Sequence, residues 1–166
     1  MIRGVGLSIV GRGRGFLAPS QDGLERAIRA AYAESGVDPR DVDYVECHAT
    51  GTSLGDPIEV QALGAVFSEG RPVDQPLLIG SVKTNVGHLE AAAGVAGLIK
   101  VVLAMQHGVI PRHLHFDQPN PHIPWDRLPV KVTVEATRWP EDRRIAGISS
   151  FGFSGTNAHV VVEGPP

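Results

Sequence analysis

V-D-Y-V-E-C-H-A-T-G-T-S-L-G-D-P-I-E-V-Q-A-L-G-A-V-F, Val42 to Phe67, decides how the rest of the chain is read. Val42 to Cys47 is short and rich in β-formers, which predicts a strand. Asp56-Pro57 predicts a helix start, an Asp N-cap followed by proline at the first helical position, where a missing N–H is no loss. That helix reaches about Phe67. His48 then stands at the carboxyl end of a strand and close to a helix start, and in α/β sheets sites gather at those strand ends.

The same grammar extends in both directions. Ile2 to Val10 alternates and reads as a strand. Gly11 to Gly15 is a basic, glycine-rich loop. Ser20 or Asp22 caps a helix running to about Ser35, with Ala27, Ile28, Ala31 and Tyr32 on its apolar face, and Gly36 ends it. Leu77 to Val82 reads as a buried strand and Gly87 to Gln106 as a long helix. Ala91, Ala92, Ala93, Gly94, Ala96 and Gly97 strip that helix of bulk, so another backbone can approach closely; the expectation is a central helix sandwiched between layers. Val109 to Asp126 is proline-rich and irregular. Val130 to Ala136, Ala146 to Phe151 and His159 to Val162 read as strands. The order β-α-β-α-β-α-β-β-β implies an α/β layered domain with a mixed sheet.

Composition bounds the function. The 166 residues fit one domain, residues 1–166, and 42% are hydrophobic and 20% charged. A net charge of −3 gives no sign of a nucleic-acid partner, which leaves a basic patch or stripe. One cysteine, Cys47, excludes an internal disulfide and is compatible with a reducing cytosol. No signal peptide is visible, and the longest apolar run, Ala91 to Met105, is broken by Lys100 and too short to span a bilayer. The expected location is the cytoplasm, away from the membrane.

Three segments carry the chemistry: E-C-H-A-T-G-T, Glu46 to Thr52; S-V-K-T-N-V-G-H, Ser81 to His88; and F-G-F-S-G-T-N-A-H, Phe151 to His159. His48 and His88 both follow strands and sit near helix starts. If they converge, two neutral imidazoles can donate hydrogen bonds to a developing enolate or polarise a carbonyl. Alone, a histidine at a strand end is more often structural.

Taken together, H-A-T-G-T-x-x-G-D-P-I-E (His48 to Glu59), K-T-N-V-G-H and G-F-S-G-T-N-A-H resemble the C-terminal half of a β-ketoacyl synthase, most closely the ketosynthase domain of modular type I polyketide synthases. P-R-H-L-H-F-D-Q-P-N-P-H-I, Pro111 to Ile123, is similar to a further stretch of that family, and the resemblance runs from Ile2 to Val162. It implies a thiolase-like layered fold, C-terminal half only, with a mixed sheet and a buried Ala/Gly-rich helix. It implies decarboxylative Claisen condensation of acyl and malonyl-type thioesters in polyketide or fatty-acid assembly. His48 and His88 would be the catalytic histidines and Lys83 would orient them electrostatically. Thr50 and Thr52 would bind the phosphopantetheine arm of an acyl carrier protein, the substrate carrier; no cofactor is bound covalently. Phe153 would lend its N–H to an oxyanion hole and its ring to a gate, flanked by Gly152 and Gly155, whose backbone freedom such a gate could use.

The family also needs a nucleophilic cysteine, in a Cys-Ser-Ser-type turn that no segment here supplies. Cys47 and His48 are adjacent on a strand and point to opposite faces, so Cys47 is expected to be a small buried residue. Ala49 replaces the family's usual glycine, a mild change. Met1 opens directly onto the I-R-G-V-G strand, so the expectation is an engineered half, a truncated gene product or one half of a split synthase. Its partners would be an acyl carrier protein, an N-terminal ketosynthase half or neighbouring synthase domains, and a second copy in a homodimer. The competing expectation is a non-catalytic interaction module or a degenerate synthase fragment.

Other patterns are weaker. His113, His115 and Asp117 alternate and on a strand would share one face, which with His122 nearby would suit a zinc or iron site; Pro111, Pro119, Pro121 and Pro124 argue for an irregular loop instead. Ser154 in G-F-S-G-T lacks the second glycine of a nucleophile elbow, since Thr156 stands there. G-R-G-R-G at Gly11 to Gly15 is not a dinucleotide fingerprint; Arg12 and Arg14 either meet an acidic carrier protein or lie in a solvated loop.

Overall fold

The structure is a computed structural model that describes residues 1–10, 19–72, 74–139 and 143–165. The expectations for Gly11 to Gly15, with Arg12 and Arg14, lie outside the described residues. Among the described residues, eight strands and four α-helices follow in the order β1 (Ile2–Ile9), α1 (Gln21–Ser35), β2 (Tyr44–Glu46), α2 (Gly55–Phe67), β3 (Leu77–Gly80), α3 (Lys83–Val86), α4 (Ala93–His107), β4 (Val109–Ile110), β5 (Val130–Val132), β6 (Thr137–Arg138), β7 (Ile145–Phe151) and β8 (Thr156–Glu163). Six strands form one mixed sheet in the order β1-β8-β7-β2-β3-β5, and β4 pairs with β6 apart from it. β2 runs parallel to both β3 and β7, while β8 is antiparallel to β7 and β1. The long crossovers through α2 and α4 make the parallel pairs; the short turn after Phe151 makes the antiparallel one.

Helices lie on both faces, and β7 shows how. Its successive residues point to opposite sides. A Cβ on Gly147 would come within 2.9 Å of the Tyr32 hydroxyl on α1, whereas Ile148 Cγ2 approaches to 3.4 Å the place where a Cβ on Gly97 of α4 would stand. α1 and β1 close tightly: a Cβ on Gly6 would meet the Ala27 carbonyl oxygen at 1.8 Å, so the strand can approach the helix only as glycine. The α1/α2 side holds the larger core, including Leu24, Ile28, Tyr32, Leu63, Phe67 and Leu77; Tyr44, Val101, Met105, Ile110 and Trp139 fill a second cluster on the α4 side.

Several expected boundaries move. Helix α1 keeps its predicted caps, with the Ser20 hydroxyl accepting from Gly23 N–H and Gly36 left-handed at φ 65°. The helix expected from Gly87 begins only with a 3₁₀ turn at Glu90–Ala92 followed by α4, and the short α3 stands just before it, because Gly87 takes φ 76° and ψ −173° and stops α3. β3 ends at Gly80, so Ser81 and Val82 lead into α3. The strand expected over Val130 to Ala136 is confined to β5, and β6 follows it and pairs with β4, which lies inside the stretch read as wholly irregular. Asp56 does not cap α2: its carboxylate accepts from Gly51 N–H at 3.1 Å, and the Thr52 hydroxyl accepts from Gly55 N–H at 3.0 Å instead.

The Ala/Gly-rich helix is covered on one side only. Ala93, Gly97, Val101, Ala104 and Met105 of α4 are buried against the sheet, but Val95, Ile99, Val102 and Leu103 are exposed, as are Val5, Leu7 and Ile9 of β1. Gly4 and Gly6 face α1, so these three β1 side chains lie on the α4 face.

Candidate active site

The strand β2 delivers His48 to a turn that Glu59 builds. Glu59, buried on the first turns of α2, accepts from the N–H groups of His48 and Ala49, each at 2.8 Å. Its two oxygens therefore fix two successive peptides, and Ala49 is held at φ 31°. Those bonds favour the carboxylate, but burial outweighs them and pushes the Glu59 carboxyl up to about 7. Asp56 is also raised by burial, against its bonds to the 50–52 backbone.

His88 enters from the loop between α3 and α4. The two imidazoles meet edge to face with centroids 5.3 Å apart, and the His48 ring also packs on Phe151 at 5.2 Å. Each ring has its Nδ1 occupied as an acceptor: His48 by Phe151 N–H at 3.4 Å and His88 by Glu90 N–H at 3.0 Å. A neutral imidazole that accepts at one nitrogen carries its proton on the other. Both rings in their neutral forms are therefore Nε2–H donors. Burial, the Lys83 charge and His88 lower the His48 pKa to about 4, which keeps that ring neutral at ordinary pH. Lys83 opens α3, and burial lowers its pKa against the opposing pull of Glu59, Glu46 and Asp56.

The other expected residues are less concentrated. Thr50 and Thr52 lie exposed on the loop before α2, their hydroxyls 3.5 Å apart. Phe153 is 76% exposed in the turn from Gly152 to Gly155 that joins β7 to β8, and of the two flanking glycines only Gly155 has a positive φ, 84°. It is Phe151, two residues earlier, that touches His48. Ser154 sits in that same strand-to-strand turn, not in the strand-to-helix turn a nucleophile elbow needs.

Cys47 is buried, and burial followed by the charge of Glu59 raises its thiol well above the usual range. A reactive thiol needs the reverse. Cys47 lines a cavity of about 100 Å³ behind the turn with Glu59, His113, Phe116 and Trp125. His113 is committed there, since its Nδ1 accepts from Ser81 N–H at 3.1 Å and its ring meets Phe116. Among the described residues no group of three His, Cys, Asp or Glu side chains is placed to hold a metal ion, and no helix is long and apolar enough to cross a membrane.

The reading from motifs passed over Glu59, Phe151, Glu46 and Lys100. Their signals were present. Glu46 is a charge at the end of a strand, Lys100 is the charge inside an apolar helix, and Asp56 and Glu59 lie three apart on one helical face.

The family described as beta-ketoacyl synthase, C-terminal domain, matches residues 1–117, and the ketoacyl-synthetase C-terminal extension matches residues 119–166. A phenolphthiocerol/phthiocerol polyketide synthase of Mycobacterium tuberculosis is 59% identical over 155 residues, covering 92% of this chain and 8% of that protein. Erythronolide synthase EryA3 of Saccharopolyspora erythraea is 56% identical over 158 residues, covering 94% of this chain and 5% of that protein. The solved ketosynthase from module 6 of the bacillaene synthase of Bacillus subtilis 168 superposes with a TM-score of 0.93 at 43% identity, over 99% of this chain and 30% of that one. The chain thus spans a small part of each relative it matches, and the fold is the layered α/β, thiolase-like fold of ketosynthases, its C-terminal half only. On the family match and the superposition, this chain belongs to the β-ketoacyl synthase C-terminal domain family.

Proposed function

We propose that this chain supplies the His/His/Lys part of a ketosynthase site for decarboxylative Claisen condensation in polyketide assembly. The observation that carries the reading is the pair of Nε2–H donors made by His48 and His88, rings 5.3 Å apart. A malonyl-type thioester that loses carbon dioxide leaves an enolate whose oxygen needs donors where the charge develops. Two imidazoles held by backbone N–H groups at Nδ1 meet that need without being protonated first. Burial, with the nearby positive charge of Lys83 adding to it, keeps His48 neutral. The enolate carbon then attacks an acyl thioester and expels a thiolate, with Phe153 N–H bonding the carbonyl oxygen of the acyl group. Thr50 and Thr52 bind the phosphopantetheine arm of an acyl carrier protein, which is the partner this reading requires.

The acylated thiol comes from outside these residues. Cys47, the one cysteine in the sequence, is buried and faces the cavity behind the turn. That same fact favours a second reading, a non-catalytic interaction module, over condensation by this chain alone.

Carbon dioxide release from a malonyl-loaded carrier protein separates the two. The chain is assayed alone and combined with an N-terminal ketosynthase half. Release only in the combination supports the proposal, and His48→Ala or His88→Ala should then abolish it; a full rate in either variant sinks the roles given to these histidines. No release in a combination whose halves demonstrably associate supports the interaction module.

A further inference from the structure

A second polar cluster lies behind the histidines, on the α4 side of the sheet, and nothing in the condensation chemistry above uses it. Glu46 on β2 is buried, and its Oε2 accepts from Lys100 Nζ on α4 at 2.7 Å and from the Tyr44 hydroxyl at 2.8 Å. Its Oε1 accepts from the N–H of Val82 at 2.5 Å. Lys100 also donates to the Tyr44 hydroxyl at 2.8 Å. Space for this cluster is kept open by two glycines: a Cβ on Gly97 would stand 3.0 Å from Glu46 Cγ, and one on Gly80 would stand 2.8 Å from the Tyr44 hydroxyl.

One carboxylate thus joins three elements, and each leads directly to a functional side chain. Glu46 ends β2, and His48 follows it by two residues. Val82 immediately precedes Lys83. Lys100 lies two helical turns into α4, the helix that the His88 loop enters. As a source of stability the pair is a poor choice, because desolvating two charges offsets most of their attraction and an apolar pair of similar volume does as well or better. An acceptor for Val82 N–H is something no apolar pair supplies.

Resting on the ketosynthase reading above, we infer that Glu46, held by Lys100, is a positioning residue: it pins the N–H of Val82 and so sets Lys83 and His88 against His48. Its contribution is to geometry, where a misplacement of about 1 Å in a catalytic group costs about a hundredfold in rate.

The test uses this chain combined with an N-terminal ketosynthase half. In the double variant Glu46→Leu with Lys100→Met, the buried charges are gone together and Val82 N–H loses its acceptor. Its thermal midpoint should fall, because Val82 N–H and the buried Tyr44 hydroxyl lose their partners; in the enzyme that remains folded, kcat for carbon dioxide release should fall about 100-fold and KM should change less than about twofold. Glu46→Gln with Lys100→Met also removes both charges but keeps a carbonyl oxygen for Val82 N–H, and should hold kcat within about threefold of wild type. Val82→Pro deletes the N–H itself while keeping the observed φ of −63°, which proline adopts; it should lower kcat like the Leu/Met variant and remains informative if that variant fails to fold. The surface change Lys131→Met serves as the control for loss of a lysine. Wild-type kcat in the Leu/Met or Val82→Pro enzyme overturns the inference, and so does an equal loss in the folded Gln/Met enzyme. If the wild-type enzyme itself releases no carbon dioxide, the ketosynthase reading fails. The inference is then read from the ring-nitrogen resonances of His48 and His88, which should move in the Leu/Met and Val82→Pro proteins and not in Gln/Met; unmoved resonances overturn it.

Discussion

His48 is half-buried at the end of β2, in a turn whose first two N–H groups both end on the buried Glu59; His88 is exposed, in a loop where the Glu90 N–H bonds its Nδ1. The two turns share a backbone device. Each carries one glycine and one other residue at positive φ: Gly51 at 74° and Ala49 at 31° in the first, Gly87 at 76° and Glu90 at 48° in the second. They differ in what restrains them. The His48 turn is clamped by a side chain from a neighbouring helix, while at the His88 turn the ring is held by a peptide two residues along the chain. A site assembled from one fixed and one locally held donor places its tolerance for movement on the His88 side.

The largest expected effect is a pH dependence that belongs to the clamped turn. Glu59 has a folded pKa of about 7 against an ordinary 4.5. Between those values the native state keeps a proton that the unfolded chain has released. Glu59 therefore lowers stability as pH rises from about 4.5 to about 7, by about 3 kcal/mol at full extent. His48 and the fully buried His159 act with the opposite sign, since burial lowers them to about 4 and about 3 from 6.5. The unfolded state binds their protons first, so their stability is present above pH 6.5 and is lost on acidification. In the wild-type chain Glu59 offsets part of that loss. Glu59→Gln removes the offset, and its melting temperature should fall more steeply than wild type from pH 6.5 to 4.5. Parallel profiles would mean that Glu59 does not hold a proton in the folded turn.

A smaller effect separates the clamps directly. Near pH 5, where burial keeps the Glu59 carboxyl protonated, Glu59→Ala leaves the N–H groups of His48 and Ala49 without an acceptor and should cost about 2 kcal/mol in urea unfolding. Glu90→Ala keeps the peptide N–H that holds His88 and should cost less than about 0.5 kcal/mol. Amide exchange at His48 and Ala49 should accelerate in the first variant only. Equal costs would erase the distinction between the turns.

The sequence reveals these turns unevenly, for physical reasons. Period-two alternation and strong caps mark local structure, so β1 and α1 lie within a residue or so of where Ser20, Gly36 and the Ile2 to Val10 pattern put them. The histidines, Lys83 and the loop threonines are legible because they stand in contiguous motifs. What joins them is not local. Glu59 reaches back 10 and 11 residues, and Lys100 reaches Glu46 across 54; no periodicity encodes such pairs. Small residues in α4 announce a close approach without saying on how many sides, so the helix expected between two layers has one side exposed. Asp56-Pro57 has the chemistry of a cap, but tertiary context turns Asp56 back onto Gly51 and leaves the capping to Thr52.

The smallest effect concerns Ala49, where the resemblance expects glycine and the change reads as mild. At φ 31° an L-residue brings its Cβ toward the following carbonyl, and left-handed backbone costs about 1–2 kcal/mol. Glycine escapes that cost but gives the unfolded chain more freedom, worth about 0.5–1 kcal/mol against the fold. Ala49→Gly should therefore stabilise the chain by about 0.5 kcal/mol, read from the urea midpoint at unchanged slope. His48 ring resonances should stay in place, because Glu59 and not the Ala49 side chain sets the turn. A shift of those resonances, or a loss of stability, would assign part of the clamp to the Ala49 methyl group. Glu90→Gly offers the matching change in the second turn: a gain of similar size there, with His88 held as before, would show that both turns carry backbone strain independent of their restraints.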